Sequence, residues 1–332
     1  MKYTMIYRYK KLAFHLLRIA VLIIPFIWIF KQIEISELLP AIKKVEWWTI
    51  PVFLTANLIV TFLQGTRWWV LLHAFSKKLS FLRSMSYHFS SHFYSLVLPN
   101  GSAQEVVRTL FVTKETGSII SWSAAWICKI TTTIISFIVS FSGLLIISKS
   151  GLPDFVTQIL ILLFILITFL VTISFTKRFT RPVGRLMHSY KHNKIIHWLG
   201  NLKEGIYQYR TKIKELSLVL VLTSLMQFFL LAGIIFVIFG ITDAKYIAEC
   251  MAFIPLIELV SMIQPFTPNG IGVRETLVAL MFKHIGLSNE ELGIYIIISN
   301  LSIFIKLIGA VPILYGFVKK KSREQVTADL KN

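Results

Sequence analysis

Two short stretches pair turn residues with ionisable side chains at matching offsets. Pro99-Asn100-Gly101 is followed by Glu105 and Arg108, and Pro268-Asn269-Gly270 by Gly272, Arg274 and Glu275. Glu105 stands six residues after Pro99, and Arg274 six after Pro268. Each turn therefore opens a short helix that carries an acid and a base in its first turns. The free amides of a helix start attract anions, so the pattern suits the binding of a charged group. Each residue also has a local reading. Ser102-Ala103-Gln104-Glu105 fits a capping box, Arg108 fits an interfacial cation, and Arg274 with Glu275 fits an ion pair that neutralises a buried turn.

Further ionisable groups sit in apolar surroundings. Lys129 in Trp126-Ile127-Cys128-Lys129, Glu258 in Pro255-Leu256-Ile257-Glu258, and Lys306 in the last apolar stretch have no easy route to water. Such groups inside a bilayer are expensive and by default mark a pathway or a site. A structural ion pair between two of them is the competing account. Arg67, beside Trp68 and Trp69, reads as a cation snorkelling to lipid phosphates next to an aromatic anchor. His88 and His92 share a helical face but lack the Glu of a zinc-protease motif, so they read as polar packing. His188, His192 and His197 lie in basic sequence and read as solvated. The chain shows no Gly-rich phosphate loop, Gly-x-Ser-x-Gly elbow or deaminase-like cysteine set. No catalytic residue, metal ligand or cofactor is assigned.

The elements that hold these residues must be membrane helices. Of 332 residues, 55% are hydrophobic and 15% charged, against about 45–50% and about 25% in soluble domains. A soluble enzyme, a secreted disulfide scaffold and a disordered tail are excluded. Cys128 and Cys250 stand in apolar sequence and imply no disulfide framework. Six stretches reach the roughly 20-residue length of a span: Leu12–Phe30, Trp47–Phe75, Ser118–Ile147, Phe155–Phe175, Leu216–Phe239 and Leu292–Val318. The first follows a basic N-terminus without a small-residue cleavage site and reads as a retained span. Ser84–Leu98 runs into the first turn. Tyr246–Phe266 runs into the second and is followed by Thr276–Phe282. These read as arms of two hairpins that enter the membrane and return on the same side.

The net charge of +19, with no nucleic-acid-binding motif beside it, points to cytoplasmic loops against an anionic leaflet and not to nucleic acid. With a cytoplasmic N-terminus and two re-entrant hairpins, 24 Lys and Arg fall on the cytoplasmic side and six on the other. That is the positive-inside distribution. The first hairpin then enters from the cytoplasm and the second from outside. Their Pro-Asn-Gly tips, about half a chain apart, make an inverted repeat of the kind in which broken helices of secondary transporters meet near the midplane. The expectation is an all-α polytopic membrane protein with about six full spans and two re-entrant hairpins. Residues 1–175 form one half, 176–215 a basic cytoplasmic loop, 216–318 the second half and 319–332 a basic cytoplasmic tail.

The turn sequences also resemble a known family. Leu98-Pro99-Asn100-Gly101 with Glu105-Val106-Val107-Arg108, and Pro268-Asn269-Gly270-Ile271-Gly272-Val273-Arg274-Glu275, are similar to the two signature turns of the flippase-like family, the lysylphosphatidylglycerol synthase transmembrane region. The second turn is the more specific; the first has Ser-Ala where further glycine is expected. The resemblance implies an inner-membrane protein related to the lipid-translocating part of bifunctional enzymes that make and flip aminoacylated phosphatidylglycerol. Those enzymes carry a soluble aminoacyl-transfer domain after the membrane region. This chain stops at Asn332, shortly beyond its last span, so lysyl transfer is not expected of it.

The functional expectation is a flippase that carries a polar or modified lipid headgroup across the cytoplasmic membrane through a midplane cavity between the hairpins. Its substrate-binding residues would be Pro99, Asn100, Gly101, Glu105, Arg108, Lys129, Glu258, Pro268, Asn269, Gly270, Gly272, Arg274 and Glu275. The partners would be anionic, aminoacylated or glycosylated membrane lipids, with a second copy of the chain or a separate lipid-modifying enzyme beside it. Two alternatives stay open: an intramembrane enzyme or subunit acting on a lipid carrier, and an anionic-lipid-binding anchor that recruits a partner.

Overall fold

In hydrocarbon every backbone amide and carbonyl must find its partner within the protein, which for these long apolar runs means helix. The computed structural model describes residues 45–76, 79–96, 102–147, 194–242, 246–263, 272–284 and 286–316, with Lys43, Leu98, Gln158 and Leu162. Among the described residues all regular structure is helical. In chain order the helices are α1 (Thr49–His73), α2 (Phe81–Ser95), α3 (Ala103–Thr116), α4 (Ser118–Ile147), α5 (Lys194–Gln208), α6 (Ile213–Ile241), α7 (Ile247–Ile263), α8 (Val273–His284), α9 (Asn289–Asn300) and α10 (Ile303–Leu307).

Four segments are long and apolar enough to cross a bilayer: α1, α4, α6 and the stretch Asn289–Gly316 that contains α9 and α10. They coincide with four of the six expected spans. The other two, Leu12–Phe30 and Phe155–Phe175, lie outside the described residues apart from Gln158 and Leu162, as do both Pro-Asn-Gly turns. The last span is not uniform. From Leu301 to Val311 several amides bond three residues back, including Ser302 to Ser299, Ile305 to Ser302 and Gly309 to Lys306. This tighter winding interrupts the α-helix in mid-span.

α1 and α6 run antiparallel in close contact. Thr49 packs on Gly240 and Ala56 on Gly233, and Arg67 bonds Thr223. α4 lies as close to α7, where Gly143 faces the backbone of Ala248, Met251 and Ala252. A side chain at Gly143 would collide with main chain.

The remaining helices pair up. α2 and α3, with 15 and 14 residues, are each about 22 Å long at 1.5 Å per residue, short of the ~30 Å hydrocarbon core. They lie antiparallel: Arg83 near the start of α2 reaches Glu115 near the end of α3 at 2.9 Å, and Tyr87 donates to the same carboxylate at 2.6 Å. α7 and α8 are likewise antiparallel, with Phe253 edge-on to Phe282 at 6.1 Å. The outer ends of the two pairs lie at opposite ends of the spans. α3 hands directly to the start of α4, where Thr116 and Ser121 share a hydrogen bond. The start of α7 instead lies against the far end of α4 at Gly143.

The stretch expected as a basic loop contains helix α5, which leans on the start of α4: Ser123 donates to the Leu202 carbonyl and Trp122 meets Trp198 edge-on. The hydroxyl of Tyr209, in the turn after it, donates to the Leu71 carbonyl near the end of α1. α5 therefore sits at the same end of the spans as the outer end of the α2–α3 pair.

Candidate functional site: a charged cavity at mid-span

Two apolar clusters occupy opposite ends of the bundle. One joins Phe53, Leu144, Ile238 and Phe253; the other joins Trp68, Leu71, Ile127 and Val219. Along α1, α4 and α6 the residues between them line a cavity of about 210 Å³. Each span contributes from its middle: Val60, Thr61 and Gln64 from α1, Thr132 from α4, Met226 from α6, and Ser302, Ile305 and Lys306 from the last span. The inner ends of the short pairs close the walls. α2 and α3 bring His92, Gln104, Glu105 and Arg108, and α7 and α8 bring Glu258, Ser261, Met262 and Arg274.

Several residues singled out in the sequence thus meet in one place, although they are dispersed along the chain. Glu105, Arg108, Glu258 and Arg274 all line the cavity. Lys129 stands behind Glu105, its Nζ 3.5 Å from the carboxylate and donating to Ser102 Oγ at 2.9 Å. Ser102 in turn donates to the Met262 carbonyl, tying the start of α3 to the inner end of α7. This corrects the capping-box reading. Ser102 makes no side-chain cap bond to α3; its hydroxyl serves α4 and α7 instead.

Arg274 and Glu275 do form the local pair, at 3.0 Å. Glu275 is 1% exposed and also accepts from the amide of Gly272, so it caps its own helix start and does not line the cavity. Gly272 has φ +91°, in the left-handed region that a side chain disfavours. Arg274 reaches on to Asn300 Oδ1 at 3.5 Å, joining α8 to the last span just before its tight winding. Pro99, Asn100, Gly101, Pro268, Asn269 and Gly270 are outside the described residues.

Arg67 overturns its snorkelling reading. It is 4% exposed and turns inward, where Nη1 donates to Thr132 Oγ1 at 2.7 Å and Thr223 Oγ1 at 3.1 Å. Both hydroxyls donate back to carbonyls of their own helices, so they are free to accept. Arg108 is no interfacial cation either: it is 2% exposed, with its guanidinium 5.0 Å from the centre of the Trp68 ring. Trp68 here is a buried platform and not a headgroup anchor. The flanking Trp-Trp pair made the surface reading natural, because only packing distinguishes a belt tryptophan from a core one.

His88 is polar packing, fully buried, with Nε2 donating to the Thr61 carbonyl at 2.9 Å. His92 is different, since it also lines the cavity and accepts from Gln104 at 2.9 Å. Among the described residues no three His, Cys, Asp or Glu side chains gather as a metal site. Gln64, Gln104 and Asn57 were not picked out from sequence as lining residues. Ordinary amides in helices carry no local signal of which way they face.

Counted together, the cavity and the two partners behind it hold five cations, Arg67, Arg108, Lys129, Arg274 and Lys306, against three carboxylates, Glu105, Glu258 and Glu275. Such a mixed, net-positive lining at the centre of a bundle can take up an anionic group and, at Glu105 or Glu258, a cationic one.

The family model described as the lysylphosphatidylglycerol synthase TM region matches residues 15–309. No curated protein and no solved structure matches the chain.

Proposed function

The chain belongs to the lysylphosphatidylglycerol synthase transmembrane-region family, and from that premise we propose that it is a flippase. It moves a polar or modified lipid headgroup across the cytoplasmic membrane, with the acyl chains remaining in lipid. Membership of the family makes it a multi-pass membrane protein whose work concerns membrane lipids. The observation that carries the more specific reading is the position of the charges. An ionised side chain at the bilayer centre costs about 2.5–3.5 kcal/mol on insertion scales, yet four spans bring their midpoints to one cavity lined by Arg67, Glu105, Arg108, Glu258, Arg274 and Lys306. A scaffold or anchor has no use for that arrangement at mid-span.

In this reading α2–α3 and α7–α8 are re-entrant pairs that enter from opposite sides, halves of an inverted repeat. Their antiparallel packing and their outer ends at opposite ends of the spans support it. The termini and α5 then face the cytoplasm.

The test is translocation in proteoliposomes with headgroup-labelled lipids. Crossing faster than in empty liposomes, lost in Glu105→Gln with thermal stability retained, is the expected result. Chemical conversion of the lipid without crossing would replace the flippase with an intramembrane enzyme. Binding without either would leave an anchor.

A further inference from the structure

Lys129 is matched by Glu105 and Arg274 by Glu275. Among the described residues Arg67, Arg108 and Lys306 make no ion pair; Arg67 and Lys306 feel Glu105 and Glu258 only at longer range. Arg67 and Arg108 are near enough to repel one another. Their hydrogen bonding is also unmet. Arg67 spends Nη1 on neutral hydroxyls, and its Nε has no partner; Nε and Nη2 of Arg108, the side-on fork of its guanidinium, have none either. Buried donors left unpaired are costly, and charged ones more so. Three unpaired N–H groups on two like charges, one of them stacked on Trp68, constitute a demand for an anion with several oxygens.

We propose that Arg67 and Arg108 together hold a phosphate group, and that this subsite selects headgroups ending in a doubly charged phosphate over those bridged by a singly charged phosphodiester. The inference rests on the lipid-handling reading of the cavity and narrows its substrate. Charge and geometry argue for it separately. The lining carries two positive charges more than its carboxylates balance. A terminal phosphate brings about −1.5 to −2 at neutral pH and three acceptor oxygens; a phosphodiester brings one charge and two free oxygens. The Nε–Nη edge of an arginine receives two such oxygens in parallel, and the unpartnered Arg67 Nε is a further donor for a third. A cavity of about 210 Å³ is smaller than the roughly 300–1,000 Å³ that encloses a drug-sized ligand, so it suits a compact headgroup more than an extended one.

The experiment measures binding to the purified full chain of short-chain phosphatidic acid, phosphatidylglycerol and phosphatidylcholine, and separately of inorganic pyrophosphate. The wild type should bind phosphatidic acid at least about tenfold more tightly than phosphatidylglycerol, a difference of about 1.4 kcal/mol. Pyrophosphate should compete with it, which would place recognition in the phosphate and not in the acyl chains. Arg108→Gln and Arg67→Gln should each abolish the preference, whereas Arg108→Lys, which keeps charge but not the fork, should lower it. If a Gln variant does not fold, selectivity of the wild type and competition by pyrophosphate still decide. Equal affinity for phosphatidic acid and phosphatidylglycerol, or a preference unchanged in a folded Gln variant, overturns the subsite. Selective binding without lipid crossing in liposomes would instead overturn the flippase and leave the subsite standing. Crossing with no phosphate selectivity would do the reverse.

Discussion

Glu105 and Glu275 each sit at the first turn of a helix beside a cation, yet their surroundings differ. The Lys129–Glu105 pair keeps side-chain exposures of 25% and 22%. Pairs reached by water contribute about 0–1 kcal/mol, so Glu105→Gln should leave thermal stability in detergent close to wild type while impairing lipid crossing. Glu275 is closed off from solvent, accepts from the Gly272 amide and holds Arg274. Removing its charge takes the partner from Arg274, itself one-fifth exposed, and weakens the buried bond to the Gly272 amide, a larger loss than for a pair whose members are both reached by water. Glu275→Gln should therefore lower the unfolding temperature markedly. If the two variants unfold alike, the distinction between a cavity carboxylate and a structural one fails.

At the scale of helices, close approach is what places the charges. α4 meets α7 at Gly143, where an added side chain would strike backbone that cannot rotate away. Gly143→Val should force the helices apart, cost about 1–3 kcal/mol, and shift Glu258 away from the cavity, so both stability and transport should fall. Gly316, with nothing within 4 Å, is the control: Gly316→Val should unfold within experimental error of wild type. A Gly143→Val protein of wild-type stability would show that the α4–α7 contact does not set the cavity. The tight winding after α9 is the other device at this scale. It falls where Ser302, Ile305 and Lys306 line the cavity, and Gly309 allows the same segment to rest against the Phe89 carbonyl of α2.

For the whole molecule the decisive matter is which ends of the paired helices face which side. Arg83 at the outer end of α2 and Lys283 at the outer end of α8 are both exposed, while the native Cys128 and Cys250 are buried. In sealed vesicles, Arg83→Cys and Lys283→Cys should react with a membrane-impermeant maleimide from opposite sides, Arg83→Cys from the cytoplasmic one. Labelling of both from one side would defeat the inverted repeat. The net excess of two positive charges in the cavity also belongs to this scale, because no single helix carries it.

The sequence by itself determined the solvent of this protein and the identity of most of its long helices. Apolar length and the absence of charge are local properties: the expected span at Ser118–Ile147 is the observed α4 residue for residue, and the other three agree within a few residues. Isolated charges were legible for the same reason, since Lys129, Glu258, Arg274 and Lys306 stand out against apolar neighbours. Tertiary structure alone decided what each charge faces. Arg67 looked like a surface cation because Trp68 and Trp69 follow it, and its burial depends on α4 and α6 closing over it; Arg108, a site candidate with an interfacial cation as its local alternative, owes its burial to packing beside Trp68. Glu105 read equally as a cap and as a site residue, because its spacing from Ser102 allows a capping box. Lys129 of α4 takes up both side chains instead, and a partner brought in from another helix leaves no trace in local spacing.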